Sequence, residues 1–426
     1  MSEIKTAGAR SSQLLAPQED PFAESGAAPT GAGEGEAPLA RLRGFHPGWF
    51  GAVMGTGIVA VAASLNPGGV AALASPARIL SQVMAVLATV VAVVLVVPYL
   101  GRFVRHPDAA VADLRDPVAG AMYATFPGGI LVLAAVAAAV GPTWWSATVV
   151  RDLVAGLAWV GVPLAFVISL LFAYLLFVRS ETVLETVNGG WFIPPVVNIV
   201  VPLVLVPLVP GAPPATARAL LLASYGFWGM GFVLYLLIVT MLHHRLVVHP
   251  LPHAALAPSL WIGLGPIGVG ALALVKMAAT GAGVLGPSAA IVALLSRLGA
   301  TALWGFGVWW LASAALLLAH YRRSGRLPYG IGWWAFTFPL GAYTVATLSL
   351  ARAWNLSGLE WAGAALFLLL GVFWLTVAAL TTWAVGTGCR CLASGSHGHD
   401  QPLATLPPGE DGQAPSTEAP STHQAA

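Results

Sequence analysis

Ten long apolar runs most constrain how this chain can fold. They occupy residues 46–65, 77–100, 118–140, 151–177, 190–209, 216–242, 257–280, 290–319, 329–351 and 359–386. A helix needs roughly 20 predominantly apolar residues to cross the hydrocarbon core of a bilayer. Only 8% of the residues are charged, whereas soluble domains carry about a quarter, so lipid must cover most of the surface. The sequence therefore predicts an all-α polytopic membrane protein with ten transmembrane helices.

The two ends of the chain differ from this apolar middle. Residues 1–44 are rich in Ala, Gly, Pro, Ser and Glu, and residues 389–426 are again polar and rich in Pro. Such segments bury too little apolar surface to offset the conformational entropy that folding costs. We expect both ends to be disordered tails, and residues 45–388 to form one membrane domain.

Arginine is distributed unevenly between the two sides of the predicted bundle. Ten helices place both termini on one side, where eleven Arg residues lie near helix ends: Arg41, Arg43, Arg102, Arg105, Arg115, Arg179, Arg245, Arg322, Arg323, Arg326 and Arg390. Four lie on the other side: Arg78, Arg151, Arg218 and Arg352. Because Lys and Arg accumulate in cytoplasmic loops, we expect a multi-pass protein of the cell membrane (inner or plasma) with both termini in the cytoplasm.

Helix-breaking residues recur at a nearly constant interval. Gly57, Pro127, Pro195, Pro266 and Pro339 are separated by 70, 68, 71 and 73 residues, and each lies in an odd-numbered segment. Backbone groups that a break frees inside a bilayer must be satisfied by protein or by a water-filled cavity. The repeat predicts five helical hairpins around a central pore, with kinked odd-numbered inner helices. The alternative is that Pro and Gly are simply common in membrane helices.

Residues at and beside the breaks are candidate pore-lining groups. They are Gly55, Thr56, Gly57, Pro127, Pro195, Asn198, Pro266, Thr337 and Pro339. Phe126 and Phe338 each precede a break proline, and an aromatic ring there could plug a narrow pore, since apolar constrictions gate by excluding water. Packing is the alternative role for both rings. Trp144, Trp145, Trp333 and Trp334 are typical of interfacial belts.

Charged side chains inside the apolar runs are few, and the central ones are basic. Lys276 lies well inside the seventh run and Arg297 in the first turns of the eighth, while no Asp or Glu occupies the centre of any run. Intramembrane charges tend to mark a pathway, and basic groups with helix N-termini suit an anion. The alternative is that these two side chains extend to the interface.

A histidine cluster at His243, His244, His249 and His253 raises the question of an enzyme. The cluster lacks a neighbouring acidic ligand, and Pro250 interrupts it. No phosphate-binding loop, nucleophile elbow or zinc-binding helix motif occurs in the chain. We expect no metal, no cofactor and, without a basic patch, no nucleic-acid partner. A membrane-embedded enzyme that uses the 243–253 loop is the alternative of a different class.

Three motif regions resemble the tellurite-resistance/dicarboxylate transporter family within the slow-type anion channel superfamily. They are residues 46–51 (HPGWFG) with 54–58 (MGTGI), residues 264–266 (LGP), and residues 333–341 (WWAFTFPLG). The likeness covers roughly residues 45–388. The family includes malic acid permeases, sulfite efflux pumps, tellurite-resistance proteins and plant guard-cell anion channels. The LGP and FPLG stretches look more like the malate and sulfite branch.

The resemblance implies a specific architecture and function. It implies five hairpins around a pore, a homotrimer with one pore per subunit, and a pore-occluding phenylalanine on the ninth helix. Phe338 is the best match for that ring and Phe336 its competitor. We expect the transport of small anions, a C4-dicarboxylate such as malate or else sulfite, and no enzymatic activity. A proton-coupled dicarboxylate uptake carrier is the alternative, although no mid-membrane carboxylate is present to relay protons.

Overall fold

The computed structural model describes residues 42–179, 184–325, 327–389 and 392, and their regular structure is entirely helical. The predicted tails fall almost entirely outside these residues. The α-helices are α1 (Phe50–Ser64), α2 (Ala74–Arg105), α3 (Pro107–Arg115), α4 (Ala119–Met122), α5 (Thr125–Val140), α6 (Ala147–Phe177), α7 (Ile193–Leu205), α8 (Pro214–Val248), α9 (Leu264–Gly281), α10 (Ala289–Arg323), α11 (Thr337–Trp354) and α12 (Ser357–Gly386). The all-α prediction is confirmed.

Short 3-10 helices flank many of these α-helices. They are Pro47–Trp49, Ala71–Leu73, Gly141–Thr143, Leu184–Thr186, Gly189–Phe192, Val206–Leu208, Ala254–Gly263, Gly286–Ser288 and Ile331–Phe336. Within the described residues, nine helical segments are long and apolar enough to cross a membrane. The remaining segment, which contains α11, carries several hydroxyl groups and Arg352. The chain is thus a polytopic membrane protein, and the number of ten spanning helices stays a prediction.

The long helices pack in consecutive pairs. We call α1, α5, α7, α9 and α11 the inner helices, and α2, α6, α8, α10 and α12 the outer helices. Each inner helix packs against the outer helix that follows it in the chain. The first pair is antiparallel, because Ser81 of α2 donates a hydrogen bond to the carbonyl oxygen of Ala60, whereas Gly57 lies beside Ala88. The packing order matches that of the predicted hairpins.

The inner helices also contact one another in a closed ring. Contacts join α1 to α5, α5 to α7, α7 to α9, α9 to α11, and α11 back to α1. Gly55 of α1 lies against Thr337 of α11, and Ile58 lies against Gly341 one turn further along both helices. These two helices therefore run parallel. An outer helix that returns the chain between successive inner helices gives the other inner helices the same direction.

Close approach within the ring depends on glycine. A Cβ atom on Gly268 of α9 would lie 2.5 Å from the backbone nitrogen of Tyr343 of α11, and one on Gly128 of α5 would lie 2.9 Å from the sulfur of Met54. Lipid tails are as apolar as leucine, so helices in a bilayer associate through tight packing of small residues. The glycine-rich composition of the inner segments is the chemical basis of the ring.

Arg102 fixes the end of α2 to the beginning of the second inner segment. Its guanidinium donates hydrogen bonds to the backbone oxygen of Arg43 at 3.0 Å and to the hydroxyl of Tyr123 at 3.3 Å, and it pairs with Asp113 of α3 at 2.7 Å. Arg102 is buried, and a buried charge is tolerated when it is paired and hydrogen-bonded. This cluster holds α2, α3 and the segment before α5 together.

Candidate functional site

The predicted break prolines lie at the beginnings of the inner α-helices. Pro127, Pro195, Pro266 and Pro339 are each the third residue of α5, α7, α9 and α11. A 3-10 helix leads directly into α7, α9 and α11, and the short helix α4 precedes α5. Proline costs little in a first turn, where its missing N–H would have no intrahelical partner. The sequence breaks therefore mark a change of helix type rather than a kink within an α-helix.

The first inner helix also follows a 3-10 helix, Pro47–Trp49, but it has no proline in its own first turn. Gly55 and Gly57 lie inside α1, which runs without interruption from Phe50 to Ser64. Glycine keeps its backbone N–H, so it can remain in a helix where proline cannot. A Cβ atom on Gly57 would lie 2.6 Å from the side chain of Val132 on α5. The two glycines allow close packing in the ring, and the break predicted at this position is absent.

The polar candidates are buried and hydrogen-bonded to protein groups. The Thr337 hydroxyl donates to the backbone oxygen of Trp334 at 2.8 Å. The Asn198 amide nitrogen donates to the backbone oxygen of Pro194 at 2.9 Å, whereas its buried Oδ1 has no hydrogen-bond partner among the described residues. The Thr56 hydroxyl accepts from the indole of Trp374 on outer helix α12 at 3.1 Å. Thr56 thus joins an inner helix to an outer one. That these residues line a pore stays a prediction.

Two of the candidate gate residues are held in aromatic clusters. The ring of Phe126 stacks on Tyr99 of outer helix α2, with centroids 4.5 Å apart, and meets Phe50 edge to face at 4.9 Å. Phe336 lies 5.4 Å from Trp261 and stacks on Phe373 of outer helix α12 at 5.3 Å. Both rings therefore pack against an outer helix.

Phe338 differs from these two phenylalanines. Its side chain is 6% exposed, and it makes no ring pair with another aromatic side chain in the described part of the protein. It is the second residue of α11, directly before Pro339, whose ring lies near Gly265 of α9. Phe338 is thus placed at the beginning of an inner helix without the aromatic contacts that hold Phe126 and Phe336.

Lys276 lies near the opposite end of the inner helices, five residues before α9 ends at Gly281. Its side chain is exposed, and the like charge of Arg352 repels it. Arg297 lies on outer helix α10 and is partly exposed.

The five inner α-helices contain two charged side chains, and both are cations. These are Lys276 in α9 and Arg352 in α11. Arg352 forms a 2.8 Å ion pair with Glu360 at the start of outer helix α12. Among the residues that the structure describes, Lys276 forms no such pair. Lys276 is therefore the cation of the inner α-helices that has no ion pair among the described residues, and its attraction of an anion stays a prediction.

Several contacts were missed by reasoning from sequence. Trp228 and Trp304 of outer helices donate indole hydrogen bonds to Gly270 of α9 and Thr347 of α11. Trp334, which the sequence assigned to an interfacial belt, is only 6% exposed. The belt interpretation is wrong for this residue, because burial depends on which neighbour covers a side chain. The available signal was the position of Trp334 five residues before the break proline Pro339.

The histidine loop does not assemble a metal centre. No group of three or more His, Cys, Asp or Glu residues in the described ranges could hold a metal ion. His244 and His249 lie 6.3 Å apart between ring centroids, and His243 lies beside Trp309. The enzyme alternative therefore gains no support from this loop.

Comparison with known proteins identifies the family. Residues 44–382 match the SLAC1 family, a family of voltage-dependent anion channels by its description. The chain belongs to this family. An uncharacterized transporter of Methanocaldococcus jannaschii is 34% identical over 359 residues, which are 83% of this chain and 97% of that protein.

Two relatives with described functions transport anions. A sulfite efflux pump of Trichophyton rubrum is 29% identical over 358 residues, covering 80% of this chain and 91% of the pump. A malic acid transport protein of Schizosaccharomyces pombe is 22% identical over 244 residues, covering 54% of this chain and 53% of that protein. The resemblance predicted from the three motif regions is confirmed, and the family consists of channels and transporters rather than enzymes.

Proposed function

We propose that this protein moves small anions, C4-dicarboxylates such as malate or else sulfite, through the interior of the ring of inner helices. The observation that carries the proposal is that the charged side chains of the five inner α-helices, Lys276 and Arg352, are both positive. Charged groups inside a membrane protein mark the pathway of an ion of opposite sign. The names of the sulfite and malate relatives support the same substrate class.

Helix direction adds to the attraction for anions. The inner helices run parallel, so their N-terminal ends lie on the same side of the ring. A helix N-terminus carries about half a positive charge and several N–H groups without intrahelical partners. Five such ends around one axis would stabilise an anion where the inner α-helices begin.

Phe338 is the proposed occluding ring. It lies on this side of the ring, at the beginning of α11, and it lacks the aromatic contacts that hold Phe126 and Phe336. An apolar ring in a narrow passage excludes water and therefore ions. Phe336 and Phe126 are better suited to packing the inner helices against the outer ones.

Lys276 and Arg297 are proposed to raise the local anion concentration near the other end of the ring. Lys276 does so from α9 within the ring. Arg297 is the weaker candidate, since it lies on outer helix α10. The remaining candidates, including Asn198 and Thr337, would shape the pathway between the two ends.

The membrane potential sets the direction of uncoupled transport. Moving one charge across 100 mV is worth about 2.3 kcal/mol, so a dianion gains about 4.6 kcal/mol by leaving a cell that is negative inside. Uncoupled conduction would therefore export the anion. A proton-coupled uptake carrier would need a relay group, and the described inner α-helices contain no carboxylate. We further propose a homotrimer in the cell membrane with cytoplasmic termini.

The test is anion flux in proteoliposomes at a clamped potential, with Phe338→Ala compared to wild type and Phe126→Ala as the matched control. We expect malate or sulfite flux to rise at least tenfold (about 1.4 kcal/mol off the barrier) in Phe338→Ala and to stay near wild type in Phe126→Ala. Flux that is unchanged in Phe338→Ala would remove this ring as the gate. Electrically silent, strictly proton-dependent malate uptake would instead refute uncoupled conduction.

A further inference from the structure

Two tryptophans carry buried indole N–H groups that lack an acceptor. Trp261 is 3% exposed and Trp334 is 6% exposed, and Nε1 of each has no hydrogen-bond partner in the described part of the chain. An indole N–H can only donate, and leaving such a donor buried and unpaired destabilises the folded protein.

Other tryptophans of the chain avoid this cost. Seven of them donate their indole N–H to a carbonyl or hydroxyl oxygen: Trp191, Trp228, Trp304, Trp310, Trp333, Trp354 and Trp374. Trp191 and Trp310 are as deeply buried as Trp261 and Trp334. The lack of an acceptor is therefore a property of these two positions and not of buried tryptophans in general. It points to an acceptor that the polypeptide does not supply.

The two positions are equivalent in the internal repeat. Trp261 lies five residues before Pro266, and Trp334 lies five residues before Pro339. Each belongs to the 3-10 helix that leads into an inner helix, α9 or α11, and these two 3-10 helices contact each other. The repeat thus places two unpaired donors at the same level on neighbouring segments of the ring.

Packing fixes both rings. Trp261 meets Phe336 edge to face at 5.4 Å and Phe373 at 5.1 Å. Trp334 lies along α1. A Cβ atom added to Gly51 would be 3.3 Å from the Cβ of Trp334, and one added to Gly55 would be 3.0 Å from the Cε3 of Trp334. Donors that are already oriented lose little further entropy when they bind a ligand.

The surrounding charge favours an anion as that ligand. Helices α9 and α11 begin three residues after the two tryptophans, so the positive ends of two helix dipoles lie close by. The segments Ala254–Gly281 and 331–354 contain no Asp or Glu. An anion would be stabilised both by the N–H donors and by the positive helix ends, whereas a cation would be stabilised by neither.

We propose that the indole N–H groups of Trp261 and Trp334 form an anion-binding site at the N-terminal ends of α9 and α11, ahead of Phe338. The site takes an oxyanion of the sulfite or carboxylate type, a ligand class that rests on the proposed function. The transported anion would bind there before it passes the Phe338 ring.

Indole ¹⁵N–¹H spectroscopy of the full-length protein in detergent micelles tests this site directly. Sodium sulfite and sodium malate are the probes, and sodium gluconate at equal ionic strength is the control for salt. We expect two indole signals, identified by their loss in Trp261→Phe and Trp334→Phe, to shift together and saturate at one anion concentration. The signal that is lost in Trp191→Phe, whose N–H donates to Pro117, should not follow that curve.

Flux in proteoliposomes separates this site from the proposed function. Phenylalanine keeps the ring and removes only the N–H, so Trp261→Phe and Trp334→Phe should each raise the anion concentration for half-maximal flux about tenfold, with Trp191→Phe near wild type. Flux in wild type without indole shifts would overturn the site and leave anion transport standing. Saturable shifts without flux of either anion would support the site and refute transport of these anions.

Discussion

The inner and outer helices of this protein are similarly apolar but lie in different surroundings. Between 67% and 89% of the four apolar inner spans is buried inside the protein, against 17% to 28% of the five outer spans. The outer helices present Leu, Val and Trp side chains to lipid, whereas the inner helices pack against one another through Gly and Pro. Hydropathy predicts that a segment lies outside water, but it does not predict whether lipid or protein surrounds the segment.

Proline shows the same contrast at most positions, the exceptions being Pro202 inside inner helix α7 and Pro214 at the start of outer helix α8. Pro98 and Pro163 lie inside the outer helices α2 and α6, which continue through them. Pro127 and Pro266 of the inner helices lie in first turns, after a short helix or a 3-10 helix. A proline in the middle of a long helix bends a lipid-facing surface, while a proline in a first turn determines where the α-helix begins. Only the second use places helix N-termini at a defined level.

Gly268→Ala should have the largest effect of the changes that test the contrast between inner and outer helices. The new Cβ atom would meet the backbone of Tyr343 at 2.5 Å, and backbone cannot move aside as a side chain can. We expect the free energy of unfolding to fall by about 3 kcal/mol. The measurement is size-exclusion chromatography after heating, in which the monodisperse peak should disappear. Gly371→Ala on outer helix α12, where a Cβ meets nothing within 4 Å, is the control. Equal heat resistance of both variants would contradict the tight contact of α9 with α11.

Lys276→Gln should have an intermediate effect, on flux rather than on stability. Removal of the unpaired cation should lower anion flux about tenfold at low ionic strength, or about 1.4 kcal/mol. The effect should shrink in high salt, because salt screens exposed charges. Arg218→Gln on outer helix α8, also an exposed cation, should leave flux unchanged. A salt-independent loss in Lys276→Gln would indicate a structural role instead of electrostatic attraction.

The hydrogen bond between Thr56 and Trp374 gives the smallest expected effect. It joins inner helix α1 to outer helix α12 at 3.1 Å, and one such bond contributes about 1 kcal/mol net. A double-mutant cycle of Thr56→Val and Trp374→Phe, measured by thermal unfolding in detergent, should give a coupling of about 0.5–1 kcal/mol. Anion flux should stay near wild type in all three variants. A lower flux in Thr56→Val alone would place the hydroxyl in the pathway instead.

Much of the candidate site could be located from sequence, although its contacts could not. The spacing of Pro127, Pro195, Pro266 and Pro339 identified the inner segments, and the absence of carboxylates from them predicts a preference for anions. The same spacing could not show that Phe126 stacks on Tyr99, while Phe338 has no aromatic partner among the described residues. That distinction depends on how each helix is rotated about its axis, which no break motif encodes.

Sequence alone was sufficient to predict that this chain lies in a lipid bilayer, in which order its membrane segments follow one another, and that inner and outer helices alternate. These features follow from the hydropathy summed along each segment and from the chemistry of proline, and neither depends on which residues the segment contacts in the folded protein. Only the folded structure shows that Arg352 pairs with Glu360, that Thr56 bonds to an outer helix, and that the indole N–H groups of Trp261 and Trp334 have no acceptor in the described part of the chain. A hydrogen bond or ring contact forms only when two segments distant in the chain meet at one register and rotation, and packing sets both.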